Sequence, residues 1–451
     1  MTAAESERGG APGLLTADFY QLTMLHAYRA AGMNQRATFE FFCRKLPPSR
    51  GFLIAAGLAT LLEKLENARF TEAELAWLSA SGRFPADMID YFARWRFAGD
   101  VDAVPEGTLV FPNEPILRVD APIAEAQLVE TLVINHLHFQ TLVASKAARM
   151  VLAAPDAQLI DFGLRRAHGL EAGLLAARAA YLAGFAGTAT TSAGMEFGIP
   201  VFGTMAHSFV QAHDSERQAF VDFALARPND TILLIDTYDT ERAARTVVEI
   251  APQLRERGIA IRGVRIDSGD LAAHARAVRA ILDEGGLHDT RIVASGGLDE
   301  WQLRALVSAG APIDSFGVGT SLTTSQDRPA LDCAYKLVAY GGSPRRKRSE
   351  GKVLWPGAKQ VFRQLRADGT VERDTLGLAQ ERLAGTPLLE PVMRAGRALA
   401  PPGIEECRQA ARASLSRLPQ ELRDLDSPAV CPVEISGGLK ALAAELDASD
   451  R

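Results

Sequence analysis

The chain has 451 residues, of which 47% are hydrophobic and 23% charged, an ordinary balance for a globular protein that can hold two or three domains. Its formal net charge of −6 argues against a dedicated nucleic-acid binder, which usually carries a surplus of lysine and arginine. No uninterrupted apolar run approaches the length of a membrane span. Residues 1–12 are too polar for a signal peptide and are predicted to be a disordered tail.

The four cysteines are scattered along the chain, at Cys43, Cys333, Cys407 and Cys431, and form no CxxC pair. Such spacing predicts neither a zinc site nor a disulfide framework. We therefore expect reduced thiols in a cytoplasmic protein that binds no zinc.

The first part of the chain, residues 13–156, mixes helical and strand patterns and is predicted to form an α+β domain. In chain order, its predicted elements are a helix at 19–31, a strand at 37–43, helices at 52–67 and 71–79, a hairpin at 107–119 with its turn at Pro112 and Asn113, and an apolar helical region at 123–153.

Between residues 157 and 330, apolar β-branched runs alternate with amphipathic helical stretches. The predicted strands are 158–162, 187–191, 200–203, 231–236, 260–267, 291–295 and 313–317. The helices between them include 171–184, 215–225, 240–257, 271–284 and 299–308. Alternation of this kind predicts an α/β fold with a parallel sheet, here an irregular TIM-like α/β barrel of six to seven βα units.

Strand character returns at 335–340 and 353–354, around a basic hairpin at 345–348, and a helix is predicted at 405–418. We expect these later strands, in the segment 331–451, to rejoin the N-terminal α+β domain. That domain would then be discontinuous in sequence.

Polar or glycine-rich residues follow each strand of the predicted barrel. Because the carboxyl ends of parallel strands meet at one face, where barrel enzymes carry their chemistry, these residues should converge. Ser295-Gly296-Gly297 and Gly317-Val318-Gly319-Thr320 suit phosphate, since glycine lets backbone N–H groups approach its oxygens. The alternative is that these glycines only form tight turns.

Carboxylates and arginines also lie at these strand ends. Asp267 and Asp270 could accept hydrogen bonds from ribose hydroxyls or hold Mg²⁺, although capping of the next helix would explain one of them equally well. Arg165, Arg166 and Arg265 can pair with a carboxylate or phosphate, or form surface salt bridges. Arg265 lies two residues before Asp267, on the same strand face.

His207 follows the predicted strand at 200–203. An exposed imidazole there could carry protons or act as a covalent nucleophile. Taken alone, it could equally be a hydrogen-bonded structural histidine.

Six segments of the chain together resemble nicotinate phosphoribosyltransferase, almost from end to end. They are Leu14–Met24, Phe41–Pro47, Asp161–Gly169, Gly203–Ser208, Arg265–Asp270 and Gly351–Val361. The resemblance implies transfer of phosphoribosyl from phosphoribosyl pyrophosphate to nicotinate, giving nicotinate mononucleotide and pyrophosphate, as a first step of NAD salvage. It also implies ATP hydrolysis through a phosphohistidine at His207, with Mg²⁺ as cofactor.

The same resemblance implies a homodimer with shared active sites and assigns a role to each matching residue. The pyridine ring would lie between Tyr20 of one subunit and Phe162 of the other, with Arg44 supplied together with Tyr20. Binding roles also fall on Arg165, Thr204 and Ser295; Arg265 would bind near the carboxylate and ribose, Asp267 the ribose hydroxyls, and Gly296, Gly297, Gly319 and Thr320 the 5′-phosphate.

Base selectivity is assigned to Ala189, where nicotinamide-using relatives are expected to carry an aspartate; the alternative is that Ala189 only packs between strand and helix. Other functions left open are a nicotinamide or quinolinate phosphoribosyltransferase, a non-catalytic nucleotide-binding regulator, and a phosphosugar aldolase or isomerase. The last class would call for a lysine or a Glu/His pair at the strand ends, and the ends from Asp161 to Thr320 contain no lysine.

Overall fold

The computed structural model describes residues 13–349 and 354–449. The chain divides into two compact units, residues 1–141 with 330–451, and residues 142–329. The first division falls within the helix Glu130–Ala153, whereas the sequence places it at 156/157. The predicted tail at 1–12, and residue 353 of the predicted strand 353–354, lie outside the described residues.

A seven-stranded antiparallel sheet forms the centre of the first unit, and seven of the eight residues of its strand Arg36–Cys43 are buried. In spatial order the strands are Ser343–Pro344, Cys333–Tyr340, Arg36–Cys43, Pro115–Pro122, Asp100–Ala103, Glu390–Arg394 and Arg397–Ala398. Cys43 lies opposite Cys333 in this register. The chain after residue 330 therefore returns to the sheet that residues 36–43 begin.

Among its described residues, the first unit also contains two smaller sheets, seven helices and the start of Glu130–Ala153. The smaller sheets are Thr386–Pro387, Lys359–Leu365, Val371–Leu378 and Val433–Ile435, and Leu53–Ile54 with Leu109–Val110. The helices are Phe19–Ala30, Leu58–Glu66, Glu72–Ala80, Ala86–Arg94, Ile123–Leu128, Ile404–Ser416 and Gly437–Ala448. Thr71 begins one of them with a capping box that satisfies two free backbone N–H groups.

The hairpin predicted at 107–119 is wrong. Leu109–Val110 pairs with Leu53–Ile54, whereas Pro115–Pro122 enters the large sheet beside Arg36–Cys43. Alternating apolar residues identify a strand but not its partner, and the turn at Asn113 sends the two strands to different sheets. For the same reason residues 52–57, predicted as the start of a helix, instead supply the short partner strand.

The second unit contains a six-stranded sheet in which every pairing is parallel. In spatial order its strands are Gly187–Thr188, Gln158–Asp161, Ser315–Val318, Arg291–Ser295, Ile261–Ile266 and Thr231–Leu234. Its helices, apart from the end of Glu130–Ala153, are Leu170–Ala183, Thr191–Phe197, His207–Gln211, Glu216–Ala226, Thr240–Glu256, Leu271–Glu284, Glu300–Ser308 and Thr320–Thr323.

The core under this sheet is apolar and fully enclosed. Phe220, Leu233, Val247, Val264 and Ile292 are all 0% exposed and belong to one cluster between strands and helices. This packing fixes the strand ends on which the polar residues lie. Within the described residues, no helix is long and apolar enough to cross a membrane.

The strand predicted at 200–203 is reduced to a single bridge between Thr188 and Val201. Pro200 has no N–H to donate, and Val201 is 48% exposed, so the segment gains little from longer pairing. The parallel sheet therefore has six strands among the described residues, one fewer than the seven strands predicted for this region.

Candidate active site

Six residues considered for the site lie at the carboxyl ends of the strands of the parallel sheet or just after them. Because the strands are parallel, these ends share one edge of the sheet. The residues are Phe162, Ala189, Asp236, Asp267, Ser295 and Gly319. The candidate site is built on this edge.

The Asp267 carboxylate is the point on which three side chains converge. Ser295 Oγ donates to Asp267 Oδ1 at 2.5 Å. Arg265 Nη2 lies 3.6 Å from the same oxygen, and His207 Nε2 lies 3.9 Å from Oδ2. Residues separated by up to 88 positions in the sequence are thus brought together around one carboxylate.

Arg265 is held by two neighbours and keeps one donor free. Its Nη1 donates to Thr204 Oγ1 at 2.6 Å, and its guanidinium carbon lies 5.9 Å from the centroid of the Phe162 ring. Burial lowers the pKa of Arg265 and the nearby Asp267 opposes this, but a guanidinium stays charged. The buried Nε has no hydrogen-bond partner among the described residues, so it can donate to a bound anion.

His207 begins a short helix, His207–Gln211, with its side chain 39% exposed. Its Nδ1 lies 3.1 Å from the hydroxyl of Thr237, and this contact orients the ring. Nε2 faces the side of Asp267 and is the ring atom left for chemistry.

The glycine-rich turn after Arg291–Ser295 has backbone requirements that explain its composition. Gly296 and Gly297 have φ of 103° and 65°, the left-handed region that glycine tolerates. A Cβ on Gly296 would come within 2.0 Å of the Asp267 carbonyl oxygen. Asp299 then caps the helix Glu300–Ser308, so this turn leads directly into a helix N-terminus, which favours anions.

Three other predicted residues take simpler positions. Asp270 Oδ1 accepts from Ala273 N at 3.0 Å, which makes Asp270 the cap of the next helix, as one alternative anticipated. Arg165 is exposed on the short turn Leu164–Arg166. Ala189 is also exposed, so it does not pack between strand and helix, while its N–H donates to Asp161 O at 2.7 Å.

Two models of known protein families match this chain. One, described as the nicotinate phosphoribosyltransferase N-terminal domain, covers residues 15–138, and the other, described as the nicotinate phosphoribosyltransferase family, covers residues 157–341. The chain belongs to the nicotinate phosphoribosyltransferase family. The resemblance inferred from six sequence segments is confirmed, and membership of this enzyme family decides against an aldolase or isomerase.

Individual nicotinate phosphoribosyltransferases match over most of the chain. One from Mycobacterium tuberculosis is 51% identical over 441 residues, covering 97% of this chain and 95% of that protein. One from Bacillus subtilis is 39% identical over 378 residues, covering 82% and 77%. The crystal structure of human nicotinic acid phosphoribosyltransferase shares 32% identity with a TM-score of 0.86, covering 95% of this chain and 99% of that one.

Two residues that match the family's motifs, Tyr20 and Arg44, belong to the first unit. Tyr20 is 44% exposed and donates from its hydroxyl to Glu130 at 2.7 Å. Partial burial and this hydrogen bond raise the pKa of Tyr20 to about 12, so the phenol stays protonated as a donor. Arg44 pairs with Asp332 at 2.9 Å.

Two carboxylates that hold the candidate site together were missed as site residues in the sequence. Asp161 is 1% exposed and accepts from Thr188 Oγ1 at 2.7 Å and from Gly163 N at 2.8 Å, and burial raises its pKa. Asp236 Oδ2 accepts from Asp267 N at 2.9 Å and from Ser268 Oγ at 2.6 Å. Both lie at strand ends, and that position was the signal available.

Proposed function

We propose that this protein transfers the 5-phosphoribosyl group of phosphoribosyl pyrophosphate to nicotinate, giving nicotinate mononucleotide and pyrophosphate. The observation that carries the proposal is the convergence of Arg265, Ser295 and His207 on Asp267, beside the Gly296–Gly297 turn, in a member of this family. One arrangement offers a donor for a carboxylate, an anion for a sugar, and backbone N–H groups for a phosphate.

The reaction needs stabilisation of charge more than covalent chemistry. As pyrophosphate departs, positive charge develops on the ribose ring, and the fixed Asp267 carboxylate would stabilise it electrostatically. The unpaired Nε of Arg265 would receive the carboxylate of nicotinate, whose ring would lie against Phe162. The turns at Gly296–Gly297 and Gly319–Thr320 would hold the 5′-phosphate and so fix the distance between sugar and base.

Mg²⁺ is the cofactor that we propose, bound chiefly through the pyrophosphate of the substrate. A phosphate-bound Mg²⁺ needs only one or two protein carboxylates. Asp267 and Asp236 fit this need, because they lie at neighbouring strand ends and Asp236 Oδ1 is buried without a hydrogen-bond partner among the described residues. Asp270, the other carboxylate considered, has one oxygen committed to its helix cap. When bound, the ion would neutralise charge on the leaving group.

We also propose that ATP hydrolysis drives the reaction through phosphorylation of His207. The support is its exposure, the free Nε2, and the contact of Nδ1 with Thr237, which selects the atom that reacts. Arg265 and His207 lie on the two oxygens of the same Asp267 carboxylate, so a phosphate on His207 would be close to the cation that we propose for the base.

A homodimer with shared sites is the assembly that we propose. Tyr20 is an exposed aromatic with its hydroxyl fixed by Glu130, which suits a ring offered to a substrate held by a partner subunit. For the wider architecture we propose the irregular TIM-like barrel, supported by the six parallel strands and the added bridge at Val201. The free thiols of the four cysteines fit the cytoplasm.

The decisive experiment measures pyrophosphate release from phosphoribosyl pyrophosphate with nicotinate, nicotinamide and quinolinate in parallel, with and without ATP. We expect release with nicotinate and stimulation by ATP. Faster release with nicotinamide or quinolinate would show that the protein is instead a phosphoribosyltransferase of the same fold that acts on that base. Binding without any release would indicate a regulator.

A further inference from the structure

A cluster of four charged residues, three of them buried and the fourth 13% exposed, lies within the second unit, outside the candidate site. We call it the ion cluster; it consists of Lys146, Arg149, Glu300 and Asp327. Lys146 Nζ lies 2.6 Å from Glu300 Oε2 and 2.7 Å from Asp327 Oδ1. Arg149 Nε lies 3.0 Å from the other oxygen of Glu300. The Lys146, Arg149 and Glu300 side chains are at most 2% exposed.

The two carboxylates of the ion cluster come from the two segments that follow the glycine-rich turns. Glu300 is the first residue of the helix Glu300–Ser308, three residues after Gly297. Asp327 follows the Thr320–Thr323 turn of helix that Gly319 begins. One lysine ammonium therefore contacts both segments at once, from the helix Glu130–Ala153.

A second contact joins the same two segments directly. The hydroxyl of Ser321 donates to the carbonyl oxygen of Leu298, and both residues are buried. The Trp301 ring lies 5.2 Å from Lys146 Nζ and 5.4 Å from the guanidinium carbon of Arg149, which keeps the cations between an aromatic face and carboxylates. These polar contacts thus hold the segments that follow the two turns in a fixed relative position.

Stability alone is a weak explanation for such a cluster. Desolvation of buried ions offsets most of their attraction, and apolar residues of similar volume often stabilise a core as well or better. A buried ion pair instead fixes the distance between the segments that carry the two charges. Moving the segments apart would leave a buried charge without a partner, which costs free energy. The contribution of the ion cluster is therefore expected in the geometry of the two turns.

We propose that Lys146 is a positioning residue that fixes the distance between the Gly296–Gly297 and Gly319–Thr320 turns. Through these turns it would strengthen binding of the 5′-phosphate of the phosphoribosyl group. This inference rests on the proposed function, which places the 5′-phosphate at these turns. Lys146 acts through Glu300 and Asp327 and is not a catalytic residue.

The test compares Lys146→Met with Lys359→Met. Lys359 is a matched control, because it is also a buried lysine, with Nζ 2.7 Å from Glu40 Oε2, in the first unit. For Lys146→Met we expect the KM for phosphoribosyl pyrophosphate to rise about tenfold with kcat within about threefold of wild type. Lys359→Met should lower the melting temperature without that change in KM. Equal KM in both variants and wild type would overturn the proposal.

Two milder variants keep the proposal testable if Lys146→Met does not fold. Lys146→Arg keeps the charge but changes its length and shape, and Asp327→Asn removes one of the two contacts. Each should raise the KM for phosphoribosyl pyrophosphate. If both fold and keep the wild-type KM, Lys146 does not position the turns.

A binding measurement separates this proposal from the proposed function. Inorganic phosphate should raise the melting temperature of the wild-type protein, and about tenfold more phosphate should be needed in the Lys146 variants. If the wild type releases no pyrophosphate, but the Lys146 variants still need more phosphate than the wild type for the same rise in melting temperature, the proposed function fails and the positioning role stands. If the wild type is active and the variants respond to phosphate as it does, the positioning role fails and the function stands.

Discussion

The Arg265 guanidinium donates to the hydroxyl of Thr204 at 2.6 Å, and this contact joins the strand Ile261–Ile266 to the segment before His207, 61 residues earlier in the sequence. Thr204 lies three residues before His207, so the group proposed to bind nicotinate is tied to the segment proposed to carry phosphate. The contact also holds the guanidinium near Phe162 and leaves Nε unpaired. On this proposal, recognition of the base depends on the Thr204 hydroxyl even if the base does not contact it.

Thr204→Val removes that hydroxyl with little change in volume. We expect the KM for nicotinate to rise at least roughly tenfold, since a hydrogen bond to a charged group contributes about 1.5–3 kcal/mol. Steady-state kinetics with each substrate varied in turn provide the measurement. Thr246→Val, which alters an exposed helix hydroxyl bonded to Arg242 O, is the control and should leave the KM unchanged. Identical kinetics for the two variants would show that Thr204 does not hold Arg265 in its working position.

His207→Ala should abolish the ATP-linked step and leave slow phosphoribosyl transfer at high substrate concentration. The reason is that the proposal gives the imidazole ring the role of a nucleophile for phosphate and no part in the glycosyl transfer itself. Acid-labile phosphoprotein formed from labelled ATP is the measurement. His213→Ala, six residues along, should still be labelled. A labelled His207→Ala protein would show that another residue carries the phosphate.

Ala189→Asp tests base selectivity at an exposed position after Gly187–Thr188. A carboxylate facing nicotinate would be repelled, since like charges ~4 Å apart cost about 4 kcal/mol at an effective dielectric of 20. We expect kcat/KM for nicotinate to fall at least about tenfold, or 1.4 kcal/mol, with nicotinamide affected less or improved. Ala189→Asn adds the same bulk without charge and should discriminate less. Equal losses for both bases would argue against a selective role.

Subunit mixing tests the shared site. Tyr20→Ala and Arg265→Ala should each be inactive, but random exchange makes half of all dimers mixed, with one of two sites intact. About a quarter of wild-type activity should then return. A mixture of Arg265→Ala with Asp267→Ala, both in the same half of the site, should recover none. No recovery in the first mixture, despite demonstrated exchange, would mean that each subunit forms its site alone.

A buried group of charged residues in the first unit gives a pH dependence. Glu114 is 1% exposed and accepts from Phe111 N at 2.8 Å, and Asp374 is paired with Arg363 through two hydrogen bonds. Burial, and then the charge of Asp374, raise the pKa of Glu114 well above its ordinary value. The folded protein therefore keeps a proton that the unfolded chain loses as the pH rises above about 4.5.

Glu114→Gln should remove this dependence, because an amide can accept from Phe111 N and donate to Asp374 without titrating. The wild type should lose stability relative to the variant as the pH rises from 4.5 towards the raised pKa, by at most about 1.4 kcal/mol per pH unit. Urea unfolding between pH 5 and 8 gives the difference in free energy. The exposed Glu72→Gln should show no such trend. A difference between Glu114→Gln and wild type that is constant with pH would contradict the assignment.

The second unit was largely predictable because local patterns determine it. Short apolar runs followed by amphipathic helices specify strands and crossovers, and Arg291–Ser295 and Leu271–Glu284 have the bounds that the sequence suggests. Since parallel strands share a face, the residues after them could be grouped before any distance was known. The strand expected at 200–203 shows the limit, because Pro200 and exposure at Val201 reduce it to one bridge.

The first unit was less predictable because its pairings are distant in sequence. Nothing local indicates that Leu109–Val110 joins Leu53–Ile54 while the strand after Asn113 joins another sheet. The supporting carboxylates Asp161 and Asp236 were missed for a related reason. A buried acid is explained by the backbone N–H groups and hydroxyls that it accepts from, and these become visible only when the chain has folded.

The pairing of Arg36–Cys43 with Cys333–Tyr340 has a consequence for synthesis on the ribosome. Almost 300 further residues are synthesised after Arg36–Cys43 before its partner strand Cys333–Tyr340 is made. Contacts between residues so distant in sequence are slow to form. The contiguous unit at 142–329 needs no later residues to complete its parallel sheet. We therefore expect the middle of the chain to resist protease first in nascent chains stalled after residue 330, with the segment before it protected only after release.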